Sequence, residues 1–386
     1  VNALASPLAA LPDLLPGIAA AAARHDRDAS FPHDSFAALH QAGLLALTVP
    51  ATLGGGGSGL RLAAQVVERV GAACPATALV LAMQYLKHAT LARSPAWPAA
   101  LREQVQRDAV AEGALINALR VEPELGSPTR GGLPATVARR TPEGWLLSGR
   151  KRYCTGAPGL QWLEVWGRTE DAAPLVGGFL VPADAPGIEI VESWNHLGLC
   201  ASGSHDVVFR DVPIPARHAI GLALPGAAVP DAAQLAWNAV LVPAVYSGVA
   251  RAARDWVIGF VRDRVPGSLG APLATLPRVQ EAIGRIEGLL AANARITEAL
   301  ALATDAGQPP GAAEAGALKV VLAENAVRAV EEATLLAGNH AHDRANPLER
   351  HWRDVQCARM HAPASDAAHL AAGRAALSAL LAEPRA

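Results

Sequence analysis

The stretch from Trp145 to Gly221 is the only long run of this chain that carries the signature of β-structure, and helical pattern flanks it on both sides. WLLSGRKRYCTGAPG, LEVWGRT, GGFLVP and WNHLGLCASGSHDVVFRDVPIP alternate apolar and polar residues or run in short apolar blocks, bounded by Gly, Pro and Asp. One such block inside a helical chain restricts the fold to an α+β, mostly α, architecture in which helices are segregated from a single sheet region.

Before the block, PHDSFAALHQAGLLAL sets Phe36, Leu39, Leu44 and Leu47 at helical spacing, with Gly43 as a stop. From Leu60, RLAAQVVERVGAACPATALVLAMQYLKHATLA predicts two helices, broken at Gly71 and Pro75, and Pro98 to Val110 predicts a short charged one. The glycines of TVPATLGGGGSGL form a loop and not a phosphate fingerprint, which requires a preceding strand in a βαβ unit. After Pro225 three long apolar helices are expected, and in the second Val279, Ile283, Ile286 and Leu290 share one face. Their polar faces are thin, so they are expected to pack on two sides and to bring subunits together. The expected domains are a helical one over 1–116, a β-domain over 117–225 and a helical bundle over 226–386.

With 386 residues, 51% hydrophobic and 18% charged, the chain has ample core and no disorder signature. A net charge of −2 supplies no field for nucleic acid and no polybasic membrane patch. The run Leu14 to Ala23 is read as broken by Pro16 and Gly17, and it is too short to cross a bilayer. The opening VNALASPLAALPDLLPG has no basic stretch before its apolar run, so no export signal and a cytoplasmic location are expected. Cys74, Cys154, Cys200 and Cys357 form no C-x-x-C pair, and reduced thiols are expected. His340, His342 and His351 show neither an i, i+4 pair nor H-E-x-x-H, so no metal is expected.

Seven segments in order resemble the acyl-CoA dehydrogenase superfamily along nearly the whole chain: GLLALTVPATLGG, VEPELGS, GRKRYCTGA, VWGRT, LGLCASGSHDVVFRDVPIP, LGAPLATLPRVQ and LLAGNHAHDRANPLERHWRDV. The resemblance implies an N-terminal helical domain, a central β-barrel-like domain and a C-terminal four-helix bundle that enclose a flavin, either FMN or FAD, in a homotetramer or homodimer. It places Tyr153, Cys154 and Thr155 beside the flavin ring, Ser127 at the ring edge or phosphate, and Arg264 and Gly338 toward the cofactor tail. The plainer readings are a turn residue for Thr155, packing for Cys154 and a solvated helix end for Arg264.

Departures from the family pattern bear on the chemistry. Dehydrogenation needs a carboxylate to take the substrate α-proton. One family pattern puts it after the ERxxRD helix, where this chain reads MHAPASD. The other puts it early in the first bundle helix, where Asn238 stands. HWRDVQCARMHAP is instead similar to the HWRNxRTHTLHDP segment of two-component flavin monooxygenases, a branch that includes dibenzothiophene and sulfone monooxygenases and amine N-hydroxylases. His361 takes the position of its last histidine, while Arg359 and Ala362 depart from it.

The resemblance therefore implies an oxidoreductase that uses reduced flavin and O2, through a flavin C4a-(hydro)peroxide, on a small S-, N- or C-nucleophile. A separate flavin reductase or electron-transfer partner would feed it. His361 is the candidate for handling the proton, because an imidazole titrates near neutrality. His88 is the second candidate on the helix AMQYLKHATLA, with Tyr85 and Asn238 as substrate contacts. For a lone histidine on an apolar helix the plainer reading is a core residue. Two rivals stand beside this reading: an acyl-CoA dehydrogenase with an unconventional base such as Asp366, and a non-catalytic protein that keeps the fold.

Overall fold

The computed structural model describes residues 7–125, 132–227 and 231–382. Helix α1 (Pro7–Asp28) runs unbroken through Pro12 and also through Pro16 and Gly17, where a break was expected. Both proline rings lie on the exposed side, so the carbonyls they leave without an N–H partner face water, while Leu11, Ile18 and Ala22 are buried on the other side. Helix α2 (His33–Gln41) ends at Gly43, whose left-handed φ of 71° lets its N–H turn back to the His40 carbonyl at 2.8 Å.

Helices α3 (Leu60–Ala73), α4 (Pro75–Arg93) and α5 (Ala99–Ala111) follow. Pro75 opens α4 at a position where its missing N–H costs nothing. Gly71 does not break α3: a side chain there would lie 2.6 Å from the Val245 carbonyl oxygen, so the glycine serves close packing. The glycine loop before α3 is equally tight, with a side chain at Gly56 placed 2.6 Å from the Leu47 carbonyl oxygen.

Among the described residues eight strands form, β1 (Leu115–Leu119), β2 (Val137–Thr141), β3 (Gly144–Cys154), β4 (Leu160–Thr169), β5 (Val176–Pro182), β6 (Ile188–Val191), β7 (His205–Pro215) and β8 (Ala219–Ala223). They form one sheet in the order β6-β7-β3-β2-β4-β5-β8, with β1 added in parallel to β4. The antiparallel pair β3–β7 is its spine, and Trp145, Leu147, Val207, Phe209, Val212 and Ile214 on that pair are buried.

Helix α6 (Ala232–Asp263) starts where the Asp231 side chain accepts the Ala233 N–H at 2.9 Å. It packs against α3 and α4 on one side and against α7 (Pro277–Asp305), α8 (Ala312–Ala337) and α9 (Pro347–Gln356) on the other. Seventeen of its residues, from Ala236 to Val261, are buried, which explains its thin polar face. Its backbone meets that of α3, because a Cβ on Gly248 would fall on the Glu68 carbonyl. The last helix, α10 (Ser365–Ala382), lies on α8. Leu335 (78%) and Met360 (77%) remain widely exposed in this half of the chain. Among the described residues no helix is long and apolar enough to cross a membrane.

Candidate active site

The end of β3 turns sharply into the 3-10 turn at Ala157–Gly159. Tyr153 adopts φ 54°, a conformation that costs a non-glycine residue about 1–3 kcal/mol and tends to be retained at functional sites. The left-handed Tyr153 lies in a register shift of the β3–β7 pair between Lys151 and Cys154, and this irregularity divides the three expected flavin residues. Tyr153 is 46% exposed, whereas Cys154 points into the sheet core at 1% exposure, and burial pushes its thiol pKa far up. Cys154 is thus a packing residue that does not share the face of Tyr153, contrary to its expected place beside the cofactor.

Thr155 begins a chain of hydroxyls. Its Oγ1 lies 3.0 Å from Ser204 Oγ, which lies 2.8 Å from Ser202 Oγ. Three hydroxyls sharing two hydrogen bonds leave one O–H to donate, and Thr155 is the partly exposed member. Asn117 of β1 fixes the turn by donating from Nδ2 to the Thr155 carbonyl at 3.0 Å. Beside Tyr153, Trp194 and His196 stack with ring centroids 3.7 Å apart, and both meet the Tyr153 ring edge-on. A flat aromatic shelf next to an outward hydroxyl donor suits the heteroatom edge of a flavin ring. Ser127 lies outside the described residues.

A second cluster forms where the segment after α9 meets the bundle. The Tyr246 hydroxyl and His361 Nε2 share a hydrogen bond. Asn238 Nδ2 donates to the Ala362 carbonyl at 3.1 Å, and Lys319 Nζ donates to the His361 carbonyl at 2.6 Å and the Pro363 carbonyl at 3.3 Å. Burial, with help from the Lys319 ammonium, pushes His361 down to about 4, so the imidazole is neutral near pH 7. Burial also lowers Lys319 to about 8 and pushes the Tyr246 phenol well above its usual range. Tyr246 and Lys319 were not singled out in the sequence. Lys319 sits in the apolar run ALKVVLA, and a single lysine in such a run is a signal that could have found it.

The other candidates lie elsewhere. Tyr85 is wholly buried and donates to the Leu44 carbonyl at 2.8 Å, so its hydroxyl is committed to the core and not to a substrate. His88 is also wholly buried. Its Nε2 is 2.9 Å from Gln84 Nε2, and burial pushes it down to about 3. Arg264 is exposed at the end of α6, with its guanidinium 5.8 Å from the Phe260 ring centre, and Phe260 also contacts His340 at 5.1 Å. Gly338 ends α8 just before His340. Among the described residues no hydrogen bond or ring contact joins this third group to Thr155 or His361. Nor is any group of three or more His, Cys, Asp or Glu side chains there disposed to hold a metal ion.

Several hydrogen bonds tie the loop between β6 and β7 to the helix preceding His361. Arg353 on α9 donates to the Leu197 carbonyl at 2.8 Å and pairs with Asp26 and Glu349. Asp354 accepts the Leu199 amide.

Comparison with known proteins fits this arrangement. Family models match the chain over residues 17–94 (acyl-CoA dehydrogenase, N-terminal domain), 120–212 (middle domain) and 240–366 (C-terminal domain). The putative acyl-CoA dehydrogenase YdbM of Bacillus subtilis (strain 168) is 33% identical over 349 residues, covering 90% of each chain. The amino sugar nitrososynthase RubN8 of Streptomyces rubradiris is 32% identical over 369 residues, covering 90% of this chain and 84% of that one. The solved structure of KijD3 with FMN and dTDP-3-amino-2,3,6-trideoxy-4-keto-3-methyl-D-glucose superposes with a TM-score of 0.85 at 31% identity, covering 96% of this chain and 93% of that one.

Proposed function

The chain belongs to the acyl-CoA dehydrogenase family and is a flavin-dependent oxidoreductase, and from that premise we propose that it oxygenates a small nucleophile with reduced flavin and O2. The observation that carries this reading is the composition of the bundle cluster. The hydrogen bonds that join Asn238, Tyr246, Lys319 and His361 into one unit run between amide, phenol, ammonium, imidazole and backbone carbonyl groups, and none of these bonds involves a carboxylate. The two segments in which the resemblance puts a dehydrogenase base, MHAPASD and the start of the first bundle helix, meet here, and the Asn238 amide is already engaged with the Ala362 carbonyl. Dehydrogenation requires a strong, free acceptor for the α-proton, and a neutral histidine already bonded to a phenol is a poor one.

A bound reduced flavin would supply the activation of O2. The chain's own part is to hold and protect it. The Thr155 hydroxyl chain and the Tyr153 shelf would hold the ring edge, His361 would hold a proton on the substrate side, and the apolar helices would keep water out. Arg264 and Gly338 stay assigned to the phosphate side of the cofactor, on a different cluster from Thr155. The nucleophile is an amine in the first instance. RubN8 is an amino sugar nitrososynthase and KijD3 was solved with an amino sugar nucleotide, and both relatives span most of this chain. FMN is the flavin for the same reason, delivered reduced by a separate reductase. The exposed Leu335 and Met360 support subunit association as a homotetramer or homodimer.

Likeness to YdbM favours a second reading, dehydrogenation of a CoA thioester on FAD. One experiment separates the two. The protein is supplied with FMN, a flavin reductase, NADH and isotope-labelled dioxygen, and amines and sulfides are offered. Label in a product supports oxygenation. Absence of label in every product, together with anaerobic bleaching of bound FAD by an acyl-CoA, establishes the dehydrogenase instead.

A further inference from the structure

Which nitrogen of His361 faces the reaction can be worked out from its surroundings. The Tyr246 hydroxyl is buried, with the residue at 0% exposure, and its one hydrogen-bond partner among the described residues is His361 Nε2. If Nε2 carried the imidazole proton and donated it, the phenol hydrogen would be left in an apolar interior with no acceptor, which is the costly arrangement. If instead the phenol donates, every proton of the pair is satisfied. Nε2 is then an acceptor, and the neutral ring must carry its hydrogen on Nδ1. No described protein group bonds to Nδ1, and that atom is not among the buried polar atoms left without a partner. It is therefore the open side of the ring.

We propose that His361 acts as a neutral hydrogen-bond donor through Nδ1–H, and that Tyr246 is the positioning residue that selects this tautomer. Lys319 completes the arrangement. By gripping the carbonyls on both sides of Ala362 it fixes the backbone from which the ring projects. Its positive charge adds to burial in keeping a second proton off the ring.

The consequence is chemical. With Nε2 occupied by the phenol and Nδ1 already protonated, His361 has no lone pair to offer a substrate C–H. It can give a hydrogen bond to an acceptor oxygen, which is the role an oxygenating site requires of it. The inference concerns the resting ring, and it rests on the oxygenase reading only for the identity of the acceptor.

The test uses the full chain without flavin, with nitrogen-labelled histidine. Long-range proton–nitrogen NMR near neutral pH distinguishes protonated from bare ring nitrogens, and His361→Gln identifies the signals. Protonated Nδ1 with bare Nε2 is the expected result, and Tyr246→Phe should shift the ring toward a mixture. Protonated Nε2 in the unaltered protein overturns the proposal, as does a tautomer that Tyr246→Phe leaves unchanged. If Tyr246→Phe does not fold, the unaltered protein alone decides the tautomer. In the reductase-coupled assay His361→Asn, whose amide can donate from the Nδ1 position, should retain more product than His361→Gln, whose amide reaches toward Tyr246. The reverse order counts against a donor at Nδ1. Because the spectrum is read without flavin or O2, a wrong tautomer and a wrong reaction give different results.

Discussion

The Leu199 backbone amide donates to the Asp354 carboxylate at 2.6 Å, and this bond fastens the sheet loop bearing Trp194 and His196 to the helix that leads into His361. The fit is tight, since a side chain at Gly198 would lie 2.5 Å from the Arg353 carbonyl oxygen. Burial raises the Asp354 carboxyl to about 7; the Leu199 amide, Arg350 and Arg353 oppose the rise, and Asp26 adds to it.

The acid limb of stability follows from these groups. His88 and His351 are buried and pushed down to about 3, chiefly by burial. Unfolded histidine titrates near about 6.5, so each contributes stability that is present above that pH and lost as pH falls toward about 3. Asp354 works in the opposite sense: its raised pKa favours the folded state at low pH, and that contribution is lost as pH rises toward about 7. Stability should therefore fall on acidification. Asp354→Asn should steepen the fall by up to one proton, about 1.4 kcal/mol per pH unit. Denaturant melts from pH 4 to pH 7 measure both slopes.

Tyr85→Phe should cost roughly 1 kcal/mol of stability, the value of its bond to the Leu44 carbonyl, and leave product formation near that of the unaltered protein. His88→Gln should likewise act on melting and not on turnover. A turnover loss of more than about tenfold in either, with melting unchanged, would return these residues to the site.

Thr155→Val removes the outward end of the hydroxyl chain while keeping the shape of the side chain. Flavin affinity should weaken by about fivefold to tenfold, the value of one hydrogen bond of about 1 kcal/mol or slightly more. Fluorescence titration with FMN reads the change, and Cys154→Ser, on the core side of the strand, should lower stability more than affinity.

Leu335→Glu places a charge on a leucine that is 78% exposed in the single chain. Light scattering should show a larger assembly for the unaltered protein and a smaller one for the variant. A monomeric mass for the unaltered protein would remove the assembly from the proposal.

Much of the fold is legible in the chain because the signals are local. HDVVFRDVPIP alternates and is β7, and Gly43 ends α2 because only glycine takes that φ without strain. Gly71 and Pro16 read as breaks and are not. Whether a glycine ends a helix or lets another backbone approach depends on a partner far away in the sequence, here Val245, and an exposed proline is tolerated where water can take up the freed carbonyl. The site is legible only in part for the same reason. In sequence His361 is set apart from His88 only by the similarity of HWRDVQCARMHAP to a known segment, and neither residue shows what its ring touches. They differ in their neighbours: Gln84 one turn away for His88, and Tyr246 for His361, 115 positions distant. No periodicity carries that second relationship.

The crossing of α3 and α6 at Gly71 and Gly248, reinforced by the Arg251–Glu68 ion pair, bears on how relatives of this chain can be recombined. With no layer of side chains between the two backbones, neither helix can be replaced by a bulkier counterpart unless the other changes with it. A chimera should therefore take the helices before β1 and those after β8 from one parent. The sheet can be exchanged as a cassette, provided that its Gly198–Leu199 turn still seats on Arg353 and Asp354.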